Sequence, residues 1–445
     1  MSSFSWETIA KDFLSAQISV IQDPQQIQKL SLDYYHFSPL LNHQLADKRG
    51  DLVVCPQSEA EVVFIAQYCA KNRIPLTLRG AGTGNYGQCI PLAGGIIVDF
   101  SQMNQILALN PGKAQVEPGI KMVTLDQQAH ILGWELRMAP STYQTATLGG
   151  FLGGGSVGMG SLNYGMISDR GNVPALRIVT VEEEPRILDL IGDETQSVLH
   201  AYGTNGIITA LEVALAPRYP WLELIVCFPY FAEAIAFAQT LAHSSGIVKK
   251  QIAVHADPIP TYFTALRDYL LPQNHCVMVI LSEYDLFAFQ ELVKEYAGQI
   301  TLQKNVSYRG LSLLEFNWNH TTLLARSQDP DLTYLQVFYG DLEKVQHCHD
   351  YFGDEVMIHL EFLRFQGRVM PAGLPLVKFT QAERLQEIID YHNQLGATVA
   401  NPHAYTIEEG GAGVINPAQL ALKQAVDPYG LLNPGKMRSW SINGV

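Results

Sequence analysis

The sequence predicts an α+β fold in more than one domain, and three observations carry that reading. Short apolar runs alternate with helical periodicity from Arg49 to Leu132. A second alternation, between 218 and 395, suits an antiparallel sheet with helices on one face. Between the two blocks stand Gly149, Gly150, Gly153, Gly154, Gly155, Gly158, Gly160 and Gly165, too many for a stable helix or strand interior.

Trp6, Ile9 and Phe13 recur at one helical turn and open a segment over 1–45 that reads as a docking arm, polar and tyrosine-rich to Asn42. Leu52–Val54 is a short apolar strand. Ser58 with Glu61 forms a capping box before Val62, Ile65, Ala66 and Cys69, so a helix follows. Pro75–Leu78, Gly95–Phe100 and Ala114–Glu117 read as further strands, and Val123–Leu132 as an amphipathic helix. Strand composition returns at Leu176–Val181 and Ile207–Leu215, and Pro217 with Pro220 marks a boundary. Beyond it, strands are expected at Leu222–Phe228, Cys276–Leu281, Leu335–Phe338 and Val356–Phe362, and helices at Phe231–His243, Phe287–Ala297 and Ala382–Gln394. The chain thus divides into an arm (1–45), a first domain (46–217), a cap (218–395) and a C-terminal segment (396–445).

Composition removes several functions. With 445 residues the chain exceeds one ordinary core, since single cores stop growing near roughly 250–300 residues. Hydrophobic residues at 47% and charged residues at 16% exclude a disordered chain. A net charge of −14 opposes nucleic acid and anionic membrane as partners. The start lacks a basic and apolar leader, and no run is long enough to span a bilayer, so a cytoplasmic protein without a transmembrane segment is expected. Cys55, Cys69, Cys89, Cys227, Cys276 and Cys348 form no CxxC pair and read as free thiols.

Three glycine turns carry the chemical signal. Arg79, Gly80, Ala81, Gly82, Thr83, Gly84, Asn85 and Tyr86 follow a strand directly. Alternating glycines there leave either a tight loop or a concave row of N–H groups for a pyrophosphate. The spacing is not the G-x-G-x-x-G of a dinucleotide fold opening a helix, and no Gly-Lys-Ser/Thr follows, so nicotinamide dehydrogenases and triphosphate P-loops are excluded. A second cradle comprises Pro140, Ser141, Thr142, Thr147, Leu148, Gly149 and Gly150, continuing to Gly160, Ser161 and Tyr164. A third turn, Gly206, Ile207 and Ile208, enters a strand whose backbone can meet a base.

Order and spacing together resemble the FAD-binding domain of the vanillyl-alcohol oxidase and p-cresol methylhydroxylase (PCMH-type) superfamily, nearest its glycolate oxidase-like FAD-linked oxidase branch. The resemblance covers roughly residues 46–217, and Asp427–Lys436, with Asn433, looks like the family's C-terminal signature that packs beside the flavin. It implies a two-subdomain FAD-binding domain plus an antiparallel cap. It also implies that the first loop cradles the pyrophosphate, the second the ribityl and flavin side, and the third turn the adenine. Thr83 stands where some members carry a tethering histidine, and Leu136–Thr147 holds no cysteine, so the resemblance implies non-covalent FAD. The metal segment and the Gly-Glu-His-Gly-Ile-Gly segment of the hydroxy-acid branch are missing; Asn401–Gly411 stands in place of the latter.

Within that segment His403, Tyr405 and Glu408 offer a base, a phenol and a carboxylate, and they are the expected reacting face. Trp318 with His320, and His359, Glu361 and Arg364 on one strand, are expected to wall in the substrate. His347 and His349 flank Cys348 on a predicted helix where i and i+2 diverge, so no metal site is expected. The resulting expectation is an FAD-dependent oxidoreductase acting on a small hydroxy acid, sugar alcohol, lactone or aromatic alcohol by hydride transfer to flavin N5. Oxygen, a quinone or a carrier protein would take the electrons. The alternative is a flavin-binding sensor or assembly protein without turnover.

Overall fold

The computed structural model describes residues 5–306, 310–410 and 415–440. Leu52–Cys55, Ile96–Asp99 and Leu76–Arg79 form a parallel sheet, and Ser19–Ile21 joins its edge antiparallel. The three parallel strands are almost wholly buried because the sheet is covered on both faces. The helices Trp6–Ser15 and Glu59–Asn72 bury Phe13, Val62, Ile65 and Cys69 against it. Ser58 caps the second helix as the sequence indicates, its Oγ accepting from the Glu61 N–H.

A second, antiparallel sheet follows, in the order Ile106–Asn110, Lys113–Val116, Ile207–Pro217, Ala175–Val179, Ile187–Ile191, with Trp134–Leu136 also paired to the long strand. Helix Met122–Ile131 packs Leu125 and Ala129 beneath it. One expectation fails here: Leu148–Gly154, sequence LGGFLGG, is a helix despite its glycines. Packing overrides propensity, because a side chain at Gly149 would stand 2.8 Å from the Pro118 carbonyl oxygen. Only a bare helix surface fits against that neighbouring loop.

The cap is an eight-stranded sheet ordered Gln299–Asn305, Trp221–Phe228, His275–Ser282, Lys249–His255, His359–Phe365, Arg368–Gly373, Gln336–Phe338, Thr398–Ala400. Alternate residues sort its two faces. Leu222, Leu224, Val226 and Phe228 meet the helices Phe231–His243, Leu286–Glu295, Leu342–Phe352 and Ala382–Gln394 on one side. Leu363 and Ala372 turn the other way, into the core shared with the second sheet. The sequence reading ran Val356–Phe362 as one strand; the structure splits it into Val356–Met357, in a small separate sheet, and His359–Phe365 in the large one.

The tail returns to the first sheet. Leu432 bridges Leu76 in parallel, and the Asn433 N–H donates to the Leu76 carbonyl. Asp427 makes that turn: its Oδ1 accepts from the Leu431 N–H and its Oδ2 from the Leu432 N–H, while Lys423 Nζ lies 2.5 Å from Oδ2, both side chains buried. Asp427→Ala should therefore lower stability by about 3–5 kcal/mol, because it strands the Lys423 ammonium. A urea midpoint equal to wild type, followed by circular dichroism, would contradict this anchor.

Candidate active site

A cavity of about 980 Å³ runs between the two sheets of the first domain and the cap. Its walls take in Arg79, Gly80, Ala81, Gly82, Thr83, Gly84, Asn85 and Tyr86 from the first loop, and Pro140, Ser141, Thr142, Thr147, Gly149 and Gly150 from the second. Gly206 and Ile208 line it from the third turn. The two glycine loops meet so closely that Thr147 Oγ1 stands where a side chain on Gly80 would stand. Gly82 has φ +65°, and a Cβ there would fall 2.2 Å from the Arg79 guanidinium packed beneath it.

Six of the expected cofactor residues do not line the cavity. Leu148 and Ile207 point into the cores. Gly160 turns the loop at φ +90°, Ser161 Oγ accepts from the Gly158 N–H, and Tyr164 lies under the Arg137 guanidinium at 5.2 Å. Asn433 ties two loops together, its Nδ2 donating to the carbonyls of Gln88 and Tyr202. These side chains hold the loops in shape from behind.

The N-terminal arm supplies wall residues that the sequence reading missed. Asp33, Tyr34 and Phe37 line the cavity, and the Tyr34 N–H donates to the Gly84 carbonyl. Arg79 Nη1 donates to the Leu32 carbonyl at 2.7 Å. Burial pushes the Asp33 carboxyl up and the fully buried Lys436 ammonium down, each moderated by the other's charge. Nothing local distinguishes Asp33 in the sequence; only the return of the arm to the cradle does.

At the cap end, Trp318, Asn319 and His320 line the cavity together with Glu315 and Gln144. His320 Nδ1 lies 3.3 Å from Glu315 Oε2, and Gln144 Nε2 donates to Glu315 Oε1 at 2.8 Å. The carboxylate is thereby fixed from both sides and the ring is oriented, and His320 Nε2 makes no hydrogen bond among the described residues. Glu315 precedes His320 by one loop and was the missed signal: a carboxylate that close to a candidate imidazole.

His359 and Glu361 do share a strand face, as their alternation predicts, but neither touches the cavity. Both are fully buried beneath the wall. Glu361 Oε1 accepts from the Trp318 N–H at 2.8 Å and lies 3.2 Å from His359 Nε2, and Gln251 Nε2 donates to Oε2. Burial raises the Glu361 pKa and holds that of His255, stacked on His359, well below the ordinary value. Arg364 points elsewhere, its Nη1 donating to the Gly367 carbonyl.

The expected reacting face at 401–411 also lies outside the cavity wall, apart from Gly410; Gly411 lies outside the described residues. His403 is buried with both nitrogens engaged, Nδ1 with Ser38 Oγ at 2.8 Å and Nε2 with the Tyr334 carbonyl at 3.0 Å. Burial lowers its pKa to about 4. Tyr405 packs under the Lys436 ammonium, and Glu408 Oε1 accepts from the Ser439 N–H. The segment packs against the tail, and its side chains clamp arm, cap and tail instead of facing the cavity.

The walls suit an extended dinucleotide. Asn85 Nδ2 and the Tyr202 hydroxyl are buried side-chain atoms of wall residues with no protein partner, and the glycine loops present backbone along the cleft. The fold and this site define a flavoprotein: residues 50–186 match the family described as "FAD binding domain". The chain is 30% identical over 427 residues to glycolate oxidase subunit GlcD of Bacillus subtilis, covering 87% of this chain and 88% of that protein. It is 42% identical over 125 residues to D-2-hydroxyglutarate dehydrogenase of Escherichia coli, 27% of this chain and 12% of that one. An alkyldihydroxyacetonephosphate synthase structure shares the fold, with a TM-score of 0.71 at 19% identity over 97% of this chain and 84% of that chain. The chain belongs to the glycolate oxidase-like family of FAD-linked oxidases and dehydrogenases that act on CH–OH groups, and its cofactor is FAD. No helix among the described residues is long and apolar enough to cross a membrane.

Gly82→Val should abolish FAD binding in a flavin fluorescence titration, because it forbids the positive φ and collides with Arg79. Gly246→Ala, which meets nothing within 4 Å, should bind as wild type. Equal affinity in the valine variant would displace the cradle from this loop.

His403 leads to a pH prediction. Its folded pKa of about 4 lies below the ordinary 6.5, so the unfolded chain binds a proton that the folded chain refuses. Its contribution to stability is therefore complete above pH 6.5 and is lost as pH falls towards about 4, His275 acting in the same direction. His403→Ala should be less stable at pH 7 and show an acid slope shallower by up to about 1.4 kcal/mol per pH unit. Urea midpoints at pH 7 and 5 decide; an unchanged slope would mean that His403 titrates normally.

Proposed function

We propose that this enzyme oxidises the carbinol of a small hydroxylated molecule, with His320 as the base and FAD held non-covalently along the two glycine loops. The observation that carries the reading is the Glu315–His320 pair on the cavity wall, with Nδ1 beside the carboxylate and Nε2 without a hydrogen bond among the described residues. A histidine so oriented can take a hydroxyl proton near neutral pH. Relatives named glycolate oxidase, D-2-hydroxyglutarate dehydrogenase and D-lactate dehydrogenase support carbinol chemistry.

When bound, FAD supplies a two-electron acceptor at flavin N5. The residues of this chain do the rest. The first loop, Arg79–Asn85, and the wall from Pro140 to Gly150 would hold the pyrophosphate and ribityl portions, and Gly206 with Ile208 would face the adenine. Thr83, which has no imidazole to form a tether, lines the wall. His320 would take the carbinol O–H proton at Nε2, and the bound FAD would supply the two-electron acceptor that conversion of the C–OH group to C=O requires. Trp318 and Asn319 fix the substrate beside the imidazole.

His320→Ala and Glu315→Gln should keep the wild-type flavin spectrum. His320→Ala should slow anaerobic bleaching of the flavin by about 10²–10⁴-fold, the usual size of a lost general base. Wild-type bleaching rates in both variants would remove His320 from the chemistry.

A further inference from the structure

Residues Leu32–Ser38 of the arm join three parts of the molecule beside the cavity. Asp33, Tyr34 and Phe37 line it, Tyr34 with 39% of its surface accessible. The backbone of this strap holds the first glycine loop at both ends: the Leu32 carbonyl accepts from Arg79 Nη1 at 2.7 Å, and the Tyr34 N–H donates to the Gly84 carbonyl at 2.8 Å. Its other end is fastened to the cap and to the C-terminal segment. The buried Thr333 Oγ1 donates to the Phe37 carbonyl at 2.7 Å, Arg326 Nη2 donates to the His36 carbonyl at 3.2 Å, and Ser38 Oγ lies 2.8 Å from His403 Nδ1. Neither Thr333 nor Arg326 lines the cavity.

We propose that the strap Leu32–Ser38 is a clasp that keeps FAD in its cradle, and that Thr333 is the positioning residue that fastens it. The inference goes beyond the proposed carbinol oxidation and rests only on its non-covalent FAD. A loop of alternating glycines has few side chains of its own to fix its shape. In Arg79–Asn85 the strap does the fixing: without Leu32 the buried Arg79 guanidinium loses a carbonyl partner, and without Tyr34 the Gly84 end of the loop is released. Lifting the strap therefore loosens the loop on which the cofactor lies and withdraws three wall residues at once. Linkage makes the coupling reciprocal, so a seated strap favours bound FAD by the factor by which FAD favours a seated strap. The hold on FAD is thus set partly by cap residues outside the cavity wall.

Release of FAD from the holoenzyme, read as the rise of flavin fluorescence after a large dilution, tests the clasp. Thr333→Val, which removes one hydroxyl at nearly constant shape, should release FAD about three- to tenfold faster, the scale of one hydrogen bond. Arg326→Ala, at a half-buried position, should do the same and decides the matter if the valine variant does not fold. Anaerobic bleaching of FAD-loaded Thr333→Val should keep the wild-type rate, because the variant changes how long FAD stays and not what it does. Thr240→Val removes a hydrogen bond of the same kind, to the Tyr296 hydroxyl at 2.6 Å on the helical side of the cap, and should release FAD at the wild-type rate. In the wild type, FAD should slow amide hydrogen exchange across Leu32–Ser38 more than across Trp6–Ser15, the helix of the same arm that packs on the first sheet away from the cavity.

Wild-type release rates in both Thr333→Val and Arg326→Ala, equally faster release in Thr240→Val, or no added protection of the strap would overturn the clasp. Failure of the non-covalent reading would look different and would take the clasp with it: acid precipitation would leave the flavin in the pellet, and neither the wild type nor any variant would release it.

Discussion

The structure depends on one close approach: two stretches of nearly bare backbone, at Gly80–Gly84 and Thr147–Gly155, brought together without side chains between them. Thr147 Oγ1 occupies the space beside Gly80, and the Arg79 guanidinium occupies the space beneath Gly82. Such an approach leaves backbone along the cleft and little apolar area to hold the loops in place. The holding is therefore done from behind. Asn433 donates to the carbonyls of Gln88 and Tyr202, joining the first loop to the third, and Asp427 folds the tail so that Asn433 can reach them.

The cap solves a related problem with different groups. Trp318 sits at φ +52°, a conformation that costs a bulky residue on the order of 1–3 kcal/mol. Its backbone N–H is paid for by the buried Glu361 carboxylate, which His359 and Gln251 hold in turn. That network places the indole and the following Asn319 and His320 on the cavity wall. The strain thus stands at the site, and the polar network that supports it lies one layer deeper.

Two histidines show how environment divides roles that composition leaves equal. His403 has lost both nitrogens to Ser38 and Tyr334 and stays neutral by burial, which suits a clamp between arm and cap. His320 lines the cavity, with one nitrogen beside a fixed carboxylate and the other without a hydrogen bond among the described residues. Only the second arrangement can exchange a proton with a bound molecule. Glu408, likewise, spends an oxygen on the Ser439 N–H and serves the tail.

The sequence by itself determined the elements and the cofactor. Alternation and capping residues located Glu59–Asn72, Phe231–His243 and Ala382–Gln394, because local spacing and local hydrogen bonds govern them. The glycine loops and their order identified the FAD domain, since bare backbone can be recognised without knowing what it faces. The helix Leu148–Gly154 escaped because a neighbouring loop, not propensity, selects it. The sequence named Trp318 and His320 alongside His359, Glu361, Arg364 and His403, and could not separate those that line the cavity from those that do not. Which of His320, His359 and His403 meets the cavity is set by which strand the cap sheet turns inward, and by where the arm and tail cross behind it. Those are contacts between residues far apart in the chain, and only the tertiary structure decides them.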